Sequence, residues 1–138
     1  MVDPHEHYLA EKVATASPAQ LTAMLYDACA GGVLAAQRHV ATGDWAAADR
    51  GLRRSMDVLL ELRVTLDESA GPLARDLGDL YTWAWQRLLH ATSRRDPAGL
   101  DDALAVVAPL RDAWRTACLG GTTTAPSPRD AVAAAYAA

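Results

Sequence analysis

Four stretches of the chain repeat apolar residues every three or four positions, the spacing of one face of an α-helix. The first stretch contains Leu21, Met24, Leu25, Ala28, Gly32, Ala36 and Val40. The second contains Trp45, Ala48, Leu52, Met56, Leu59 and Leu66. The third contains Leu73, Leu77, Leu80, Tyr81, Ala84 and Leu88, and the fourth Leu100, Leu104, Val107, Leu110 or Arg111, and Trp114. β-Branched residues never alternate with polar ones over a useful length, so the pattern predicts helices and no strands.

Capping residues and breakers separate these stretches. Ser17-Pro18-Ala19-Gln20 is a capping box with proline at the first helical position. Thr42-Gly43-Asp44 ends the first helix and supplies Asp44 as a cap for the second, while Ser69-Ala70-Gly71-Pro72 separates the second from the third. Asp96-Pro97 predicts the fourth start, with Asp96 as the N-cap. Short connections favour antiparallel neighbours, so we predict an all-α, antiparallel up-down four-helix bundle over residues 17–118.

Three features fall outside this regular pattern. Pro109 lies inside the fourth helix, where we expect a kink, because proline removes an amide donor and clashes with the preceding turn. Residues 1–16 form an N-terminal extension, which we predict to be a movable latch with a short apolar face at Tyr8, Leu9 and Val13. Residues 119–138 are a tail of linker-like composition that ends in a possible short helix with Val132 and Tyr136.

Two adjacent glycines, Gly31 and Gly32, stand in the middle of the first helix. Each costs helix stability relative to alanine, by about 1 kcal/mol. Glycines permit another backbone to approach closely, and that backbone belongs either to a helix of the bundle or to a docked partner helix. The sequence leaves both interpretations open.

Composition excludes several classes of function. The formal net charge is −4, and an acidic chain with dispersed arginines is a poor nucleic-acid binder. No apolar run is long enough for membrane insertion, and the N-terminus lacks the pattern of a signal peptide, so we expect a cytoplasmic protein. Cys29 and Cys118 lie within helical patterns, where we expect small buried side chains rather than a disulfide.

Catalytic and metal-binding patterns are missing from the sequence. A di-iron bundle needs Glu-x-x-His motifs, and none occurs here. Asp3, His5, Glu6 and His7 cluster near the N-terminus, but a terminal tail rarely holds metal-ligand geometry. No glycine-rich loop joins a strand to a helix to cradle a nucleotide. We therefore expect a protein that is not an enzyme and that needs neither a metal nor a cofactor.

The large aromatic side chains have more apolar surface than one narrow helical stripe can bury. Trp83 and Trp85 flank Ala84, so both indoles cannot face the same core. One interpretation is a wide core with aromatic edges. The other is an exposed apolar groove that accepts a partner helix.

The segment "YLAEKVATASPAQLTAMLYD" (residues 8–27) resembles the start of the flagellar secretion chaperone family FliS, with its pattern T-A-[ST]-P-x-x-L-x-x-M-L-[YF]-[DN]. The segments "GDW" (43–45), "ELRVTLD" (61–67), "LGDLYTWAWQRLLHA" (77–91) and "LRDAW" (110–114) resemble further blocks of that family in the same order. The chain departs from the family pattern at Ala28, where glycine is usual, and at Gly31 and Gly32, where bulky residues are common.

The resemblance implies an export chaperone that binds the C-terminal segment of newly made flagellin and prevents its premature polymerisation. It also implies delivery to the flagellar export gate, and an N-terminal segment that covers part of the guest site in the free chaperone. On this basis we predict a partner-binding set of eleven residues: Tyr8, Leu9, Val13, Leu25, Ala28, Leu62, Leu66, Leu80, Tyr81, Trp83 and Trp114. The alternative is a helical-bundle adaptor or regulator that binds another amphipathic helix.

Overall fold

The computed structural model of the chain describes residues 17–119 and, apart from them, only Pro4. Four helices fill this range: α1 (Pro18–Ala41), α2 (Trp45–Val64), α3 (Pro72–Arg94) and α4 (Ala98–Leu119). A 3₁₀ turn, Glu68–Ala70, lies between α2 and α3, and residues 17–119 contain no strand. The predicted all-α four-helix bundle is confirmed, whereas the predicted latch, apart from Pro4, and nearly all of the tail lie outside the described residues.

The helix starts follow the predicted caps. The Ser17 hydroxyl accepts a hydrogen bond from the Gln20 amide at 3.2 Å, and the Ser17 amide donates to the Gln20 side chain at 2.8 Å. Asp44 accepts from the Ala47 amide at 3.0 Å at the start of α2. These bonds satisfy N-terminal amides that have no partner within their helices.

One proline lies before α4 and shifts its predicted start by one residue. The other, Pro109, lies inside α4, where the expected kink stays a prediction. The Asp96 side chain accepts from the Ala98 amide at 3.0 Å, which makes a turn that includes Pro97. The helix therefore begins at Ala98, one residue after the predicted first position. It then continues through Pro109 to Leu119 without a break.

The buried face of α1 also differs from the predicted stripe. It consists of Tyr26, Cys29, Ala30, Val33 and Ala36. The prediction followed the larger aliphatic side chains, but Leu25 and Val40 are only partly buried at the edge of the core. Small side chains occupy the centre because α1 lies very close to α2.

Gly32 and Gly51 mark this close approach. A Cβ atom placed on Gly32 would lie 2.8 Å from the Gly51 carbonyl oxygen, and one placed on Gly51 would lie 2.8 Å from the Gly32 carbonyl oxygen. Beside them the buried Ser55 hydroxyl donates to the Cys29 carbonyl at 2.7 Å. A Cβ atom placed on Gly31, by contrast, would meet no other described residue within 4 Å. Gly32 therefore serves the packing of two bundle helices.

Candidate functional site

An apolar groove opens on the other side of α2, between α2 and α3. It is a cleft of about 230 Å³, and the surface that faces its interior is almost wholly apolar. Leu59 and Tyr81, which are 1% and 3% exposed, form the floor. Leu60 and Trp85 form the walls, and Leu60 remains 47% exposed. Arg63 and Thr82 complete the lining.

Helical spacing extends this apolar surface beyond the cleft. Val64 lies one turn after Leu60 on α2 and is 79% exposed, and Leu89 lies one turn after Trp85 on α3 and is 41% exposed. Residues four positions apart share a helix face, so the exposed strip continues in both directions. Neighbouring exposed apolar side chains of this size are typical of a surface that docks an amphipathic helix.

Hydrogen bonds connect the α3 C-terminus to the first half of α2. Asp49 accepts from the Thr92 hydroxyl at 2.7 Å and from the Arg95 guanidinium at 2.9 Å. The Arg95 guanidinium also lies 5.4 Å from the centre of the Trp45 ring. The Thr92 hydroxyl, followed by Arg95, holds the pKa of the Asp49 carboxyl below its usual value. This network ties α2 to the end of α3.

Arg63 spans one end of the groove. Its guanidinium donates to the Thr82 hydroxyl, which donates in turn to the Gly78 carbonyl at 3.0 Å. Glu68, on the 3₁₀ turn, lies 4.0 Å from the same guanidinium. Among the described residues, Arg63 is the only charged side chain in the lining of the cleft.

A buried polar contact lies below the groove floor. The hydroxyls of Tyr26 and Tyr81 are hydrogen-bonded to each other, and the Trp114 ring centre lies 6.0 Å from that of Tyr26. Burial raises the pKa of Tyr81 to about 12 and that of Tyr26 still further above its usual value. Both hydroxyls therefore stay protonated at neutral pH and act as a structural tie between α1 and α3.

Other surfaces of the described residues fit a partner less well. A second cleft, of about 540 Å³, lies near the α1–α2 loop and is lined by alanines, Gly51 and the polar side chains of His39, Asp44 and Arg50. It offers no large apolar side chain. Residues 17–119 contain no group of three metal-ligating side chains, and no described helix is long and apolar enough to cross a membrane.

The predicted partner-binding residues occupy several different environments. Tyr8, Leu9 and Val13 lie outside the described residues. Buried or nearly buried side chains are those of Leu62, Leu80 and Tyr81. Partly buried side chains at the edge of the core are those of Leu25, Leu66 and Trp114, and Ala28 is also partly buried.

Trp83 is 43% exposed but does not line the α2–α3 groove. It lies one turn before Arg87, whose guanidinium is bonded to Asp102 of α4 at 2.9 Å. Trp83 therefore lies on the α4 side of α3, and Trp85 lies on the α2 side. Of the eight predicted residues that the structure describes, only Tyr81 lines the groove.

The predicted partner-binding set does not include four residues that line the groove, which are Leu60, Arg63, Thr82 and Trp85. A signal was present, since Leu60 and Val64 lie outside the predicted stripe of α2 and share a second face. Arg63 and Asp67 are four residues apart but do not share a helix face, because α2 ends at Val64. Asp67 instead accepts from the Ser69 amide at 3.0 Å and caps the 3₁₀ turn.

Comparison with known proteins places this fold in a family. A family profile described as "Flagellar protein FliS" matches residues 1–120. The flagellar secretion chaperone FliS of Bacillus subtilis (strain 168) is 29% identical over 115 residues, covering 83% of this chain and 86% of the relative. The protein of the same name from Salmonella typhimurium (strain LT2) is 30% identical over 105 residues, covering 75% and 78% of the two chains. The relative from Escherichia coli (strain K12) is 29% identical, covering 78% and 80%. The chain therefore belongs to the FliS family of flagellar secretion chaperones.

Proposed function

We propose that this chaperone binds the C-terminal segment of flagellin in the cytoplasm, and that the α2–α3 groove is part of the binding surface. The bound segment is kept from polymerising early and is delivered to the flagellar export apparatus. Binding is stoichiometric and requires no catalysis. The observation that carries the proposal is the exposed apolar groove of Leu60 and Trp85 in a chain of this family.

The chemistry of the groove suits an amphipathic guest. A segment destined for a helical filament core carries an apolar stripe that otherwise associates with further copies of itself. Covering that stripe with Leu60, Trp85 and their neighbours removes apolar surface from water on both partners. A guest that folds as it binds buries on the order of 1,000–3,000 Å², and several kcal/mol of the gain is lost to ordering.

Titration calorimetry with a flagellin C-terminal peptide tests the proposal. We expect one peptide per chaperone and a negative heat-capacity change, because apolar surface is buried. Absence of binding at peptide concentrations of tens of micromolar would overturn the proposed function.

A matched pair of variants locates the guest on the protein. Leu60→Asp places a charge in the groove wall, and we expect affinity to fall by about tenfold or more. Leu34→Asp is the control, because Leu34 is 39% exposed on α1, away from the cleft. Its affinity should stay within about twofold of the wild type, and an equal loss in both variants would place the guest elsewhere.

The latch remains a prediction, because residues 1–16, apart from Pro4, lie outside the described residues. We propose that this segment, with Tyr8, Leu9 and Val13, covers part of the guest surface in the free chaperone. Hydrogen exchange tests this directly. Residues 5–14 should exchange fast in the free protein and change when the guest binds, while residues 20–40 exchange slowly in both states. Strong, equal protection of both segments with and without guest would contradict a latch.

A further inference from the structure

We propose that Arg63 makes the α2–α3 groove selective for a helix that carries a carboxylate about one turn from its apolar anchor. The inference rests on the proposed function, because it specifies which feature of the guest is recognised. The anchor occupies the slot between Leu60 and Trp85, and the carboxylate binds the Arg63 guanidinium.

The position of Arg63 supports this selectivity. It is the only charged residue among the six described residues that line the cleft, and its side chain is 44% exposed. A guanidinium has five N–H donors in a planar fork, which suits a carboxylate. One hydrogen bond goes to the Thr82 hydroxyl, and this bond holds the side chain across the groove end. The other donors of the fork can turn to a second partner.

Glu68 already places a carboxylate near this guanidinium. Its Oε1 atom lies 4.0 Å from the Arg63 nitrogen, which is within ion-pair range but too far for a hydrogen bond. The Glu68 side chain is 52% exposed and is carried by a short 3₁₀ turn rather than by a long helix. An exposed pair of this kind contributes little stability. A guest carboxylate with direct hydrogen bonds can therefore displace Glu68.

The helical rise sets the spacing of the guest. Arg63 follows Leu60 by three residues on α2, which corresponds to about 4.5 Å along the helix axis. A guest helix lying along the groove therefore meets Leu60 and Arg63 with residues three or four positions apart. The expected pattern is one large apolar residue with Asp or Glu at that distance on the same face.

Two peptides and four chaperone variants test the inference by calorimetry. The probes are the flagellin C-terminal peptide and the same peptide with every Asp and Glu replaced by Asn and Gln. Arg63→Glu should bind the acidic peptide about threefold to tenfold more weakly than the wild type does. It should bind the amide peptide within about twofold of the wild type. Glu68→Gln should bind the acidic peptide about twofold more tightly, because the internal competitor loses its charge.

Arg75→Glu is the matched control. Arg75 is an exposed arginine near the same end of the bundle, does not line the cleft, and its substitution changes the net charge equally. Equal weakening by Arg63→Glu and Arg75→Glu would indicate general electrostatics and overturn the inference. Equal weakening of both peptides by Arg63→Glu would also overturn it.

A milder variant and the binding of both peptides by the wild-type protein distinguish a folding defect from a loss of recognition. Arg63→Gln retains a donor for Thr82, so it serves as the milder variant if Arg63→Glu lowers the melting temperature. It should weaken binding of the acidic peptide only. If wild-type protein binds neither peptide, the proposed function fails as well. If it binds both peptides equally tightly, only the selectivity of Arg63 is excluded.

Discussion

Helix α2 meets its two neighbours in opposite ways. Towards α1 it presents Gly51 and Ser55, and a Cβ atom on Gly32 would lie only 2.8 Å from the Gly51 carbonyl. Towards α3 it presents Leu59 and Leu60, and a cleft of about 230 Å³ remains open. Small residues bring two helices into tight contact, and large ones hold two helices apart. The same helix can therefore supply rigidity on one side and a binding surface on the other.

Alanine substitution of two neighbouring leucines should give the largest difference in stability between the core side of α2 and its groove side. Leu59 is 1% exposed, and truncation to alanine should lower the free energy of unfolding by about 2–5 kcal/mol. Leu60 is 47% exposed, and Leu60→Ala should change that free energy by only about 0.5 kcal/mol. Urea unfolding followed by circular dichroism measures both values.

The comparison also predicts that Leu60→Ala has a defect in binding rather than in folding. Leu60→Ala should weaken guest binding although its fold is intact, because its side chain lines the open cleft. Equal loss of stability in the two variants would show that the groove wall belongs to the core.

The adjacent glycines of α1, Gly31 and Gly32, test the tight α1–α2 contact directly. Gly32→Ala forces a methyl group against Gly51 and should destabilise the protein by about 1–3 kcal/mol. Gly31→Ala meets open space and should stabilise it by about 0.5–1 kcal/mol, because alanine favours helix. Thermal melting of the two variants should shift in opposite directions. Stabilisation by Gly32→Ala would contradict the close contact of α1 and α2.

Acid should weaken the contact of Asp49 with the end of α3, and this is the smallest effect that we expect. Because the pKa of Asp49 is lowered in the folded protein, its contribution is present above the unfolded pKa, near 4. It is lost as the pH falls through the lower, folded value. Asp49→Asn should therefore cost a few tenths of a kcal/mol at pH 7 and less at pH 3, as measured by urea unfolding. An unchanged difference between variant and wild type at both pH values would exclude this contribution.

The fold was largely predictable, since its determinants are local. Ser17, Asp44 and Gly71 mark helix boundaries through hydrogen bonds or backbone geometry that depend on a few residues. The stripe of α3 from Leu77 to Leu88 is also as predicted. The stripe of α1 was misplaced because its buried face depends on Gly32 meeting Gly51, a contact between distant residues.

An exposed apolar groove was one of two interpretations of Trp83 and Trp85, but the residues that line it were not predictable, for a related reason. The resemblance pointed to Leu62 and Tyr81, each of which is only 3% exposed, and of these two Tyr81 lines the groove. Whether Leu60 and Trp85 form an open cleft depends on the separation of α2 and α3. Arg63 bonds to Thr82 of α3 and lies near Glu68 of the 3₁₀ turn, contacts that helical spacing does not predict because α2 ends at Val64. Sequence spacing rules apply only within one helix.

The contact between Cys29 and Ser55 has a kinetic consequence. Cys29 is fully buried at the α1–α2 contact, and burial raises the pKa of its thiol to about 12. Only the thiolate reacts with alkylating reagents, so the folded protein is unreactive at this position. In a chain with Cys118→Ser, the rate of alkylation would therefore report how often α1 separates from α2. Cys29 is therefore a native probe for the opening of the tightly packed α1–α2 side of the bundle, and no residue has to be introduced to carry it.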